Sequence, residues 1–124
     1  MRFIIQTSVY PTEDPDRVAA AVRNIFPDAA PRQKEGAVER LVYEASDPAM
    51  LAEKMANQRI RDTARAILVR SLRSGTISFR LNKQAALAGR VNFADLGSAL
   101  GDLAVTVQTE HPEAAIDILT GGRR

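Results

Sequence analysis

The chain has no cysteine, no tryptophan and a single histidine among its 124 residues. Without cysteine it can form no disulfide, no thiolate nucleophile and no cysteine-ligated metal site. The one histidine, His111, directly precedes Pro112, which favours a capping or turn position over a catalytic one. A glycine-rich phosphate loop of the GxxxxGK type is also missing. The sequence therefore predicts a protein that is not an enzyme and that uses no metal or cofactor.

The chain also lacks any apolar run approaching the roughly 20 residues that a membrane helix needs. Its first residues turn polar at Gln6, too early for the apolar core of a signal peptide. We therefore expect a cytoplasmic protein with no membrane contact. A hydrophobic fraction of 45% and a charged fraction of 26% are ordinary for a globular protein, and we expect a single domain over 1–124.

Strands are predicted where apolar and polar residues alternate. Such alternation is typical of strands with one solvated or partner-facing side, and it favours antiparallel pairing. The predicted strands cover 2–10, 37–45, 76–82 and 103–109.

Helices are predicted where apolar residues recur at helical spacing. Asp-Pro pairs open the first two such segments, at Pro15 and Pro48, and Pro112 opens the last. A further apolar stripe runs from Ile60 to Leu72, and we expect that helix to stop at Gly75. The stretch 83–102, between the last two predicted strands, is longer than an ordinary connection, and we expect it to be functional or to contain a short helix or strand. Together these patterns predict an α+β fold with a mainly antiparallel sheet of about four or more strands and helices on one face.

Positive charge is concentrated in one segment. The net charge of the chain is +2, yet residues 57–90 carry +7 and the remaining residues carry −5. Asp62 is the one acidic residue there, against the cations Arg59, Arg61, Arg65, Arg70, Arg73, Arg80, Lys83 and Arg90. A concentration of this kind favours an anionic partner.

The arrangement of this segment points to phosphate contacts. Arg61 and Arg65 are four residues apart and so lie on one side of their predicted helix. Guanidinium groups and side-chain amides together can hold phosphate oxygens and touch sugar or base edges. The predicted contacts are therefore Arg61, Arg65, Arg80, Asn82, Lys83, Gln84 and Arg90. Arg70 and Arg73 have another explanation, because cations stabilise the C-terminal end of a helix.

Few aromatic residues are available to stack on bases. Phe79 falls on the inward phase of its predicted strand, and the chain has only four Phe and two Tyr. A stacking platform for single strands is therefore disfavoured, which leaves backbone and shape recognition of structured RNA, and no DNA partner is expected. Phe93, in the long stretch, is the one predicted exposed stacker.

Several motifs resemble those of an uncharacterised family of small archaeal proteins. They are Pro11-Thr12-Glu13-Asp14-Pro15, Asp62-Thr63-Ala64-Arg65, Leu81-Asn82-Lys83-Gln84-Ala85-Ala86 and Gly89-Arg90-Val91-Asn92-Phe93. The resemblance covers nearly the whole chain and implies a fold similar to that of the ribosomal large-subunit protein that binds 5S ribosomal RNA, and RNA binding by analogy. It adds Asn92 to the predicted RNA-binding residues and implies no catalytic residue. One position departs from the pattern, because Arg61 stands where an apolar residue is expected.

Other interpretations stay open at this point. The segment from Asn82 to Asn92 could be a docking loop or an edge strand for a protein partner or a homodimer. A weaker hypothesis makes Asp62 and Lys83 an acid/base pair of a small-molecule enzyme. Individual arginines could also be solvated or paired with carboxylates such as Glu39 or Glu44.

Overall fold

The computed structural model describes residues 1–35, 40–94 and 101–121. These residues contain one five-stranded antiparallel sheet, with the strands in the order β2-β3-β1-β5-β4. The strands are β1 (Arg2–Ser8), β2 (Ala30–Glu35), β3 (Arg40–Ala45), β4 (Thr76–Asn82) and β5 (Asp102–Gln108). The predicted α+β class with a mainly antiparallel sheet is confirmed.

Five helices accompany the sheet in the described residues, and none of them is both long enough and apolar enough to cross a membrane. They are α1 (Pro15–Ile25), α2 (Ala49–Asn57), α3 (Arg61–Ser71), α4 (Lys83–Leu87) and α5 (Pro112–Thr120). The first Asp-Pro signal acts as predicted, with Asp14 as the N-cap of α1, whereas α2 begins one residue later than predicted, because Pro48 is its N-cap and Ala49 its first residue. The side chain of Asp14 accepts a hydrogen bond from the Asp16 N–H, and Asp47 accepts one of 2.9 Å from the Ala49 N–H.

The core lies on one face of the sheet. Alternate residues of the central and β4-side strands are buried there, and directly opposed pairs such as Phe3–Val107 and Phe79–Val105 share that face. The helices contribute Val22, Leu51, Leu68 and Leu119 to the same cluster. The opposite face carries polar side chains such as Arg80, although Ile4 and Val42 on that face are buried as well.

Strand β2 was not predicted. Its sequence is polar and contains Pro31, which breaks the usual strand pattern. The strand lies at an edge of the sheet, with a register shift between Pro31 and Gln33, and both features accommodate proline in a strand. The following predicted strand, 37–45, is β3 from Arg40 onward, and its first residues lie outside the described ones.

Helix α3 ends at Ser71, so the expectation that it runs to Gly75 was wrong. Arg73 and Thr76 exchange two backbone hydrogen bonds, each 2.9 Å long. Between them Ser74 has a φ of 51° and Gly75 a φ of 78°, the pair of positive values that a type I′ turn requires. Gly75 is therefore the turn glycine that leads into β4, and α3 and β4 are joined by this tight turn.

Helix α4 accounts for the short element expected in the stretch before the last strand. It follows β4 without a linker, because Asn82 ends the strand and its side-chain oxygen accepts a 2.8 Å hydrogen bond from the Ala85 N–H. Asn82 is therefore the N-cap of α4.

Candidate nucleic-acid interface

The basic segment 57–90 runs through the end of α2, all of α3 and β4, and α4. Its cations divide into two groups. Three of them, Arg61, Arg65 and Lys83, are partly or fully buried, whereas the remaining five are exposed. The exposed group consists of Arg59, Arg70, Arg73, Arg80 and Arg90.

Lys83 is enclosed at the start of α4, with 6% of its surface exposed. Its ammonium donates hydrogen bonds to the Ser8 carbonyl at 2.8 Å and to Glu13 Oε1 at 3.0 Å. It also lies 5.3 Å from the centre of the Tyr10 ring, a cation–π geometry. The ammonium of Lys83 therefore already binds a carboxylate and a carbonyl of the protein, and an RNA phosphate at this position would have to compete with them.

Arg65 and Arg61 connect α3 to the C-terminal end of α5. Arg65 Nη1 lies 2.7 Å from Asp117 Oδ1 and 3.2 Å from the Thr120 hydroxyl. The Arg61 guanidinium packs on Gly121, where an added Cβ would lie 2.9 Å from Arg61 Cζ. The unexpected arginine before the Asp-Thr-Ala-Arg motif is thus half-buried against backbone, and the predicted stripe is correct, because Ala64 and Leu68 are buried.

Arg70 and Arg73 contact carbonyls at the end of α3, as their position predicts. Arg70 Nε donates to the Ala66 carbonyl at 3.3 Å, and Arg73 Nη1 donates to the Arg70 and Leu72 carbonyls at 3.0 and 2.8 Å. Each guanidinium has five N–H donors, so both keep donors directed to solvent. The helix-end role and a phosphate contact are therefore compatible for these two residues.

Arg80 lies on the outward phase of β4, next to the inward Phe79, and its side chain is 49% exposed. Among the described residues its carboxylate partner is Asp102, whose Oδ2 lies 3.8 Å from Nη1. This separation is longer than the 2.7–2.9 Å of a charge-assisted hydrogen bond. Arg80 is therefore only loosely paired and is open to another anion.

Arg90 is presented by a short loop that α2 fixes from two sides. Lys54 Nζ donates to the Gly89 carbonyl at 2.6 Å. Gln58 exchanges two hydrogen bonds with Val91, from Nε2 to the Val91 carbonyl at 2.7 Å and from the Val91 N–H to Oε1 at 2.8 Å. Lys54 and Gln58 are four residues apart and so lie on one side of α2. They hold the residues on both sides of Arg90, whose own side chain is exposed.

Sequence reasoning missed Lys54 and Gln58. The only signal was their spacing of four on a short helix that is otherwise largely apolar, and such a pair is more often simply solvated. Arg59, next to Gln58, was counted in the basic segment but not among the predicted contacts. It is exposed and has a φ of 59°, a left-handed conformation in the turn between α2 and α3.

The predicted amide contacts have different surroundings. Asn82 is the N-cap of α4, and its backbone N–H donates to the Asn92 carbonyl at 2.7 Å. The side chains of Gln84 and Asn92 are exposed. Phe93 is half-buried rather than fully exposed, because its ring meets the Phe79 ring edge-on at a centroid distance of 5.9 Å.

The outer edge of β4 is covered by the protein's own groups. Besides the Asn82–Asn92 hydrogen bond, the Ala94 N–H donates to the Arg80 carbonyl at 2.9 Å. The Ser78 N–H donates to the Ser71 hydroxyl at 3.2 Å. These outward backbone groups of β4 are therefore already hydrogen-bonded within the protein, so few of them remain to pair with a strand of a partner.

Two concavities flank the junction of α3 and β4. One, of about 430 Å³, is bordered by α3 and residues 90–93 and includes Arg90 and Asn92. The other, of about 610 Å³, is bordered by α3, β4 and β5 and includes Arg70 and Arg80. They meet at Ile67, which lines both, and at the Phe79–Phe93 ring contact. We call this region, with the exposed residues Arg59, Arg70, Arg73, Arg80, Arg90 and Asn92, the α3–β4 surface.

The catalytic hypothesis required Asp62 and Lys83 to share a pocket. Lys83 instead pairs with Glu13 and lines a concavity of about 290 Å³ between the β1–α1 loop and α4. Asp62 is exposed in the first turn of α3 and does not line that concavity. The two side chains thus belong to different parts of the described structure.

A family model described as RNA binding matches residues 2–111. A UPF0201 protein from Sulfurisphaera tokodaii is 38% identical over 125 aligned residues, which cover 96% of this chain and 86% of that one. A UPF0201 protein from Methanothermobacter thermautotrophicus is 39% identical, with coverages of 93% and 87%. This chain belongs to the archaeal UPF0201 family.

A solved structure supports the assignment at the level of the fold. The crystal structure of the UPF0201 protein from Methanococcus jannaschii matches this chain with a TM-score of 0.80 and 30% identity. The match covers 97% of this chain and 99% of that protein. The predicted resemblance to a family of small archaeal proteins is therefore confirmed, whereas the likeness to the ribosomal protein that binds 5S RNA stays a prediction.

Proposed function

We propose that this chain is a non-catalytic protein that binds structured RNA through the α3–β4 surface. The observation that carries the proposal is the grouping of five exposed arginines on one helix, its turns and the adjoining strand and loop. The description of the matching family supports the nature of the ligand. Three of the predicted contacts are left out of this surface: Arg65 and Lys83 form ion pairs within the protein, and the Arg61 guanidinium is half-buried against Gly121.

The chemistry of the surface suits a phosphate backbone. Arginine binds phosphate oxygens through a planar set of donors, and an arginine without a close carboxylate keeps these donors for a ligand. Among the described residues, Arg59 and Arg90 form no ion pair, and Arg80 has only the 3.8 Å contact with Asp102. Shape and backbone recognition of this kind is typical of proteins that bind folded RNA. A fold similar to that of the 5S-RNA-binding ribosomal protein would agree with it.

The experiment measures binding of a fluorescently labelled 5S ribosomal RNA transcript at several salt concentrations. If the surface neutralises about three to five phosphates, the logarithm of the association constant should fall with the logarithm of salt at a slope of about −2 to −4. The double variant Arg59→Gln/Arg90→Gln should weaken binding at least tenfold. Arg17→Gln/Arg23→Gln removes the same charge from α1, where both side chains are exposed, and should change affinity less than twofold.

Two results would refute the proposal. One is the absence of binding at low salt, and the other is an equal loss of affinity in both double variants, which would indicate a diffuse charge effect instead of a surface.

A second candidate is self-association through the outer side of α3 and α5. Val69 on α3 and Ile118 on α5 are large apolar side chains with 51% and 54% of their surface exposed, and the two helices are in contact. Measurement of the solution mass over a range of concentrations tests this candidate. A dimer that Val69→Ser/Ile118→Ser disrupts would support it, and a monomer at every concentration would exclude it.

A further inference from the structure

The concavity between α3 and residues 90–93, which we call the Arg90 pocket, has an apolar wall and a polar rim. Ile60, Ile67 and Phe93 form the wall and are partly buried against the core. Thr63, Arg90 and Asn92 are exposed and border the opening. With about 430 Å³, the pocket lies in the size range of small-molecule sites. It can hold a flat group of moderate size.

A nucleobase matches this combination. Its faces are apolar enough to pack on aliphatic and aromatic side chains, and its edges carry hydrogen-bond donors and acceptors. Asn92 and Thr63 offer an amide and a hydroxyl at the rim, where a base edge would lie. Arg90 supplies a guanidinium at the same rim for the attached phosphate. A fully paired helix cannot place a base there, but a bulge or loop within structured RNA can.

We propose that the Arg90 pocket takes one unpaired nucleotide of the bound RNA, with the base against Ile67 and Phe93 and the phosphate on Arg90. This inference rests on the proposed RNA-binding function and specifies the kind of RNA. It also makes the predicted role of Phe93 as a base stacker more specific, because its half-buried ring belongs to the wall of this pocket.

The rim is held in position before any ligand arrives. Lys54 and Gln58 fix the backbone on both sides of Arg90, and the Asn92 carbonyl is fixed by the Asn82 N–H. The wall is held by the Phe79–Phe93 contact. A rigid site loses less conformational entropy on binding than a mobile one, which raises affinity.

The experiment compares two hairpin RNAs that differ by one bulged nucleotide in the stem. The protein should bind the bulged hairpin about tenfold more tightly than the fully paired one. Thr63→Trp, which fills the pocket from an exposed position of α3, should lower the affinity for the bulged hairpin to that for the paired one and so abolish this ratio. Val69→Trp places the same side chain on an exposed position of α3 that lines neither concavity, and it should keep the ratio.

Asn92→Ala provides a second variant in case Thr63→Trp folds poorly. The substitution retains the hydrogen bond from the Asn82 N–H to the backbone carbonyl of residue 92. The ratio of the affinities for the bulged and the paired hairpin should fall at least threefold. Equal affinity of the unmodified protein for the two hairpins would overturn this inference and leave the proposed function standing. A bulge preference that survives both Thr63→Trp and Asn92→Ala would also overturn it. If the protein binds neither of the two hairpins nor the 5S transcript, the proposed function itself is overturned.

Discussion

Lys83 Nζ lies 3.0 Å from Oε1 of Glu13, a residue 70 positions earlier in the chain. The same carboxylate oxygen accepts a hydrogen bond of 3.1 Å from the Tyr10 N–H. One ion pair thus ties the first residue of α4 to the loop that connects β1 and α1. Since α4 leads directly into the loop of Arg90, this tether stabilises one end of the α3–β4 surface without taking part in it.

The variant Lys83→Ala tests this assignment. Removal of one partner of an enclosed ion pair is strongly destabilising, but Glu13 is 26% exposed and can be partly hydrated, so we expect a loss of about 2 kcal/mol in the free energy of unfolding. Urea denaturation measures the loss. Gln84→Ala, at the exposed neighbouring position, should stay within about 0.5 kcal/mol. A variant Lys83→Ala with full stability and weakened RNA binding would instead support a direct RNA contact.

Gln58→Ala tests how the Arg90 loop is held. The substitution leaves the N–H and carbonyl of Val91, a buried residue, without their side-chain partner, and we expect a loss of about 2 kcal/mol by urea denaturation. Asn57→Ala changes the adjacent exposed position and should have little effect. Gln58→Glu should recover only part of the loss, since a carboxylate accepts from the Val91 N–H but cannot donate to its carbonyl. Full stability of Gln58→Ala would show that the two hydrogen bonds contribute nothing.

The turn between α3 and β4 gives a test of backbone conformation alone. An added Cβ at Gly75 would meet no atom within 4 Å, so Gly75→Ala changes the conformational preference without a clash. With a φ of 78°, we expect a cost of about 1 kcal/mol in thermal or urea unfolding. Ser74→Asn should have the opposite sign, because Asn-Gly is favoured in type I′ turns. Equal stability of Gly75→Ala would contradict the assigned turn.

Local patterns carried much of the fold. Two kinds of pattern depend only on neighbouring residues and could be predicted from the sequence. They are the alternation in 76–82 and 103–109 and the Asp-Pro helix starts near 15 and 48. Strand β2 could not, because a polar segment with Pro31 becomes a strand only through pairing with β3. Gly75 was assigned to the end of α3 instead of to a turn for a related reason. Glycine is common both after helices and in tight turns, and only the backbone pairing of Arg73 with Thr76 shows that Gly75 belongs to a turn.

The candidate site was harder to predict than the fold. The excess of charge in 57–90 is a property of the sequence, but which arginines remain available depends on partners that lie far away in the chain. Arg65 meets Asp117 of α5, and Lys83 meets Glu13 before α1. Lys54 and Gln58 bond to backbone groups of Gly89 and Val91. Contacts with backbone groups do not depend on the identity of the contacted residue, so the sequence does not indicate them.

The contrast between Arg65 and Arg90 gives the last prediction. Both are arginines of the basic segment, but Arg65 is bound to Asp117 at 2.7 Å, whereas Arg90 is exposed in its fixed loop. We therefore expect Arg90→Gln to weaken RNA binding several-fold and to reduce the salt slope by roughly 1, with stability unchanged. Arg65→Gln should lower stability by at most about 1 kcal/mol, as is usual for partly exposed pairs, and leave RNA affinity within twofold. The same titration and urea curves measure both variants, and a reversed pattern would place the RNA contact on the outer side of α3 beside α5 rather than on the α3–β4 surface.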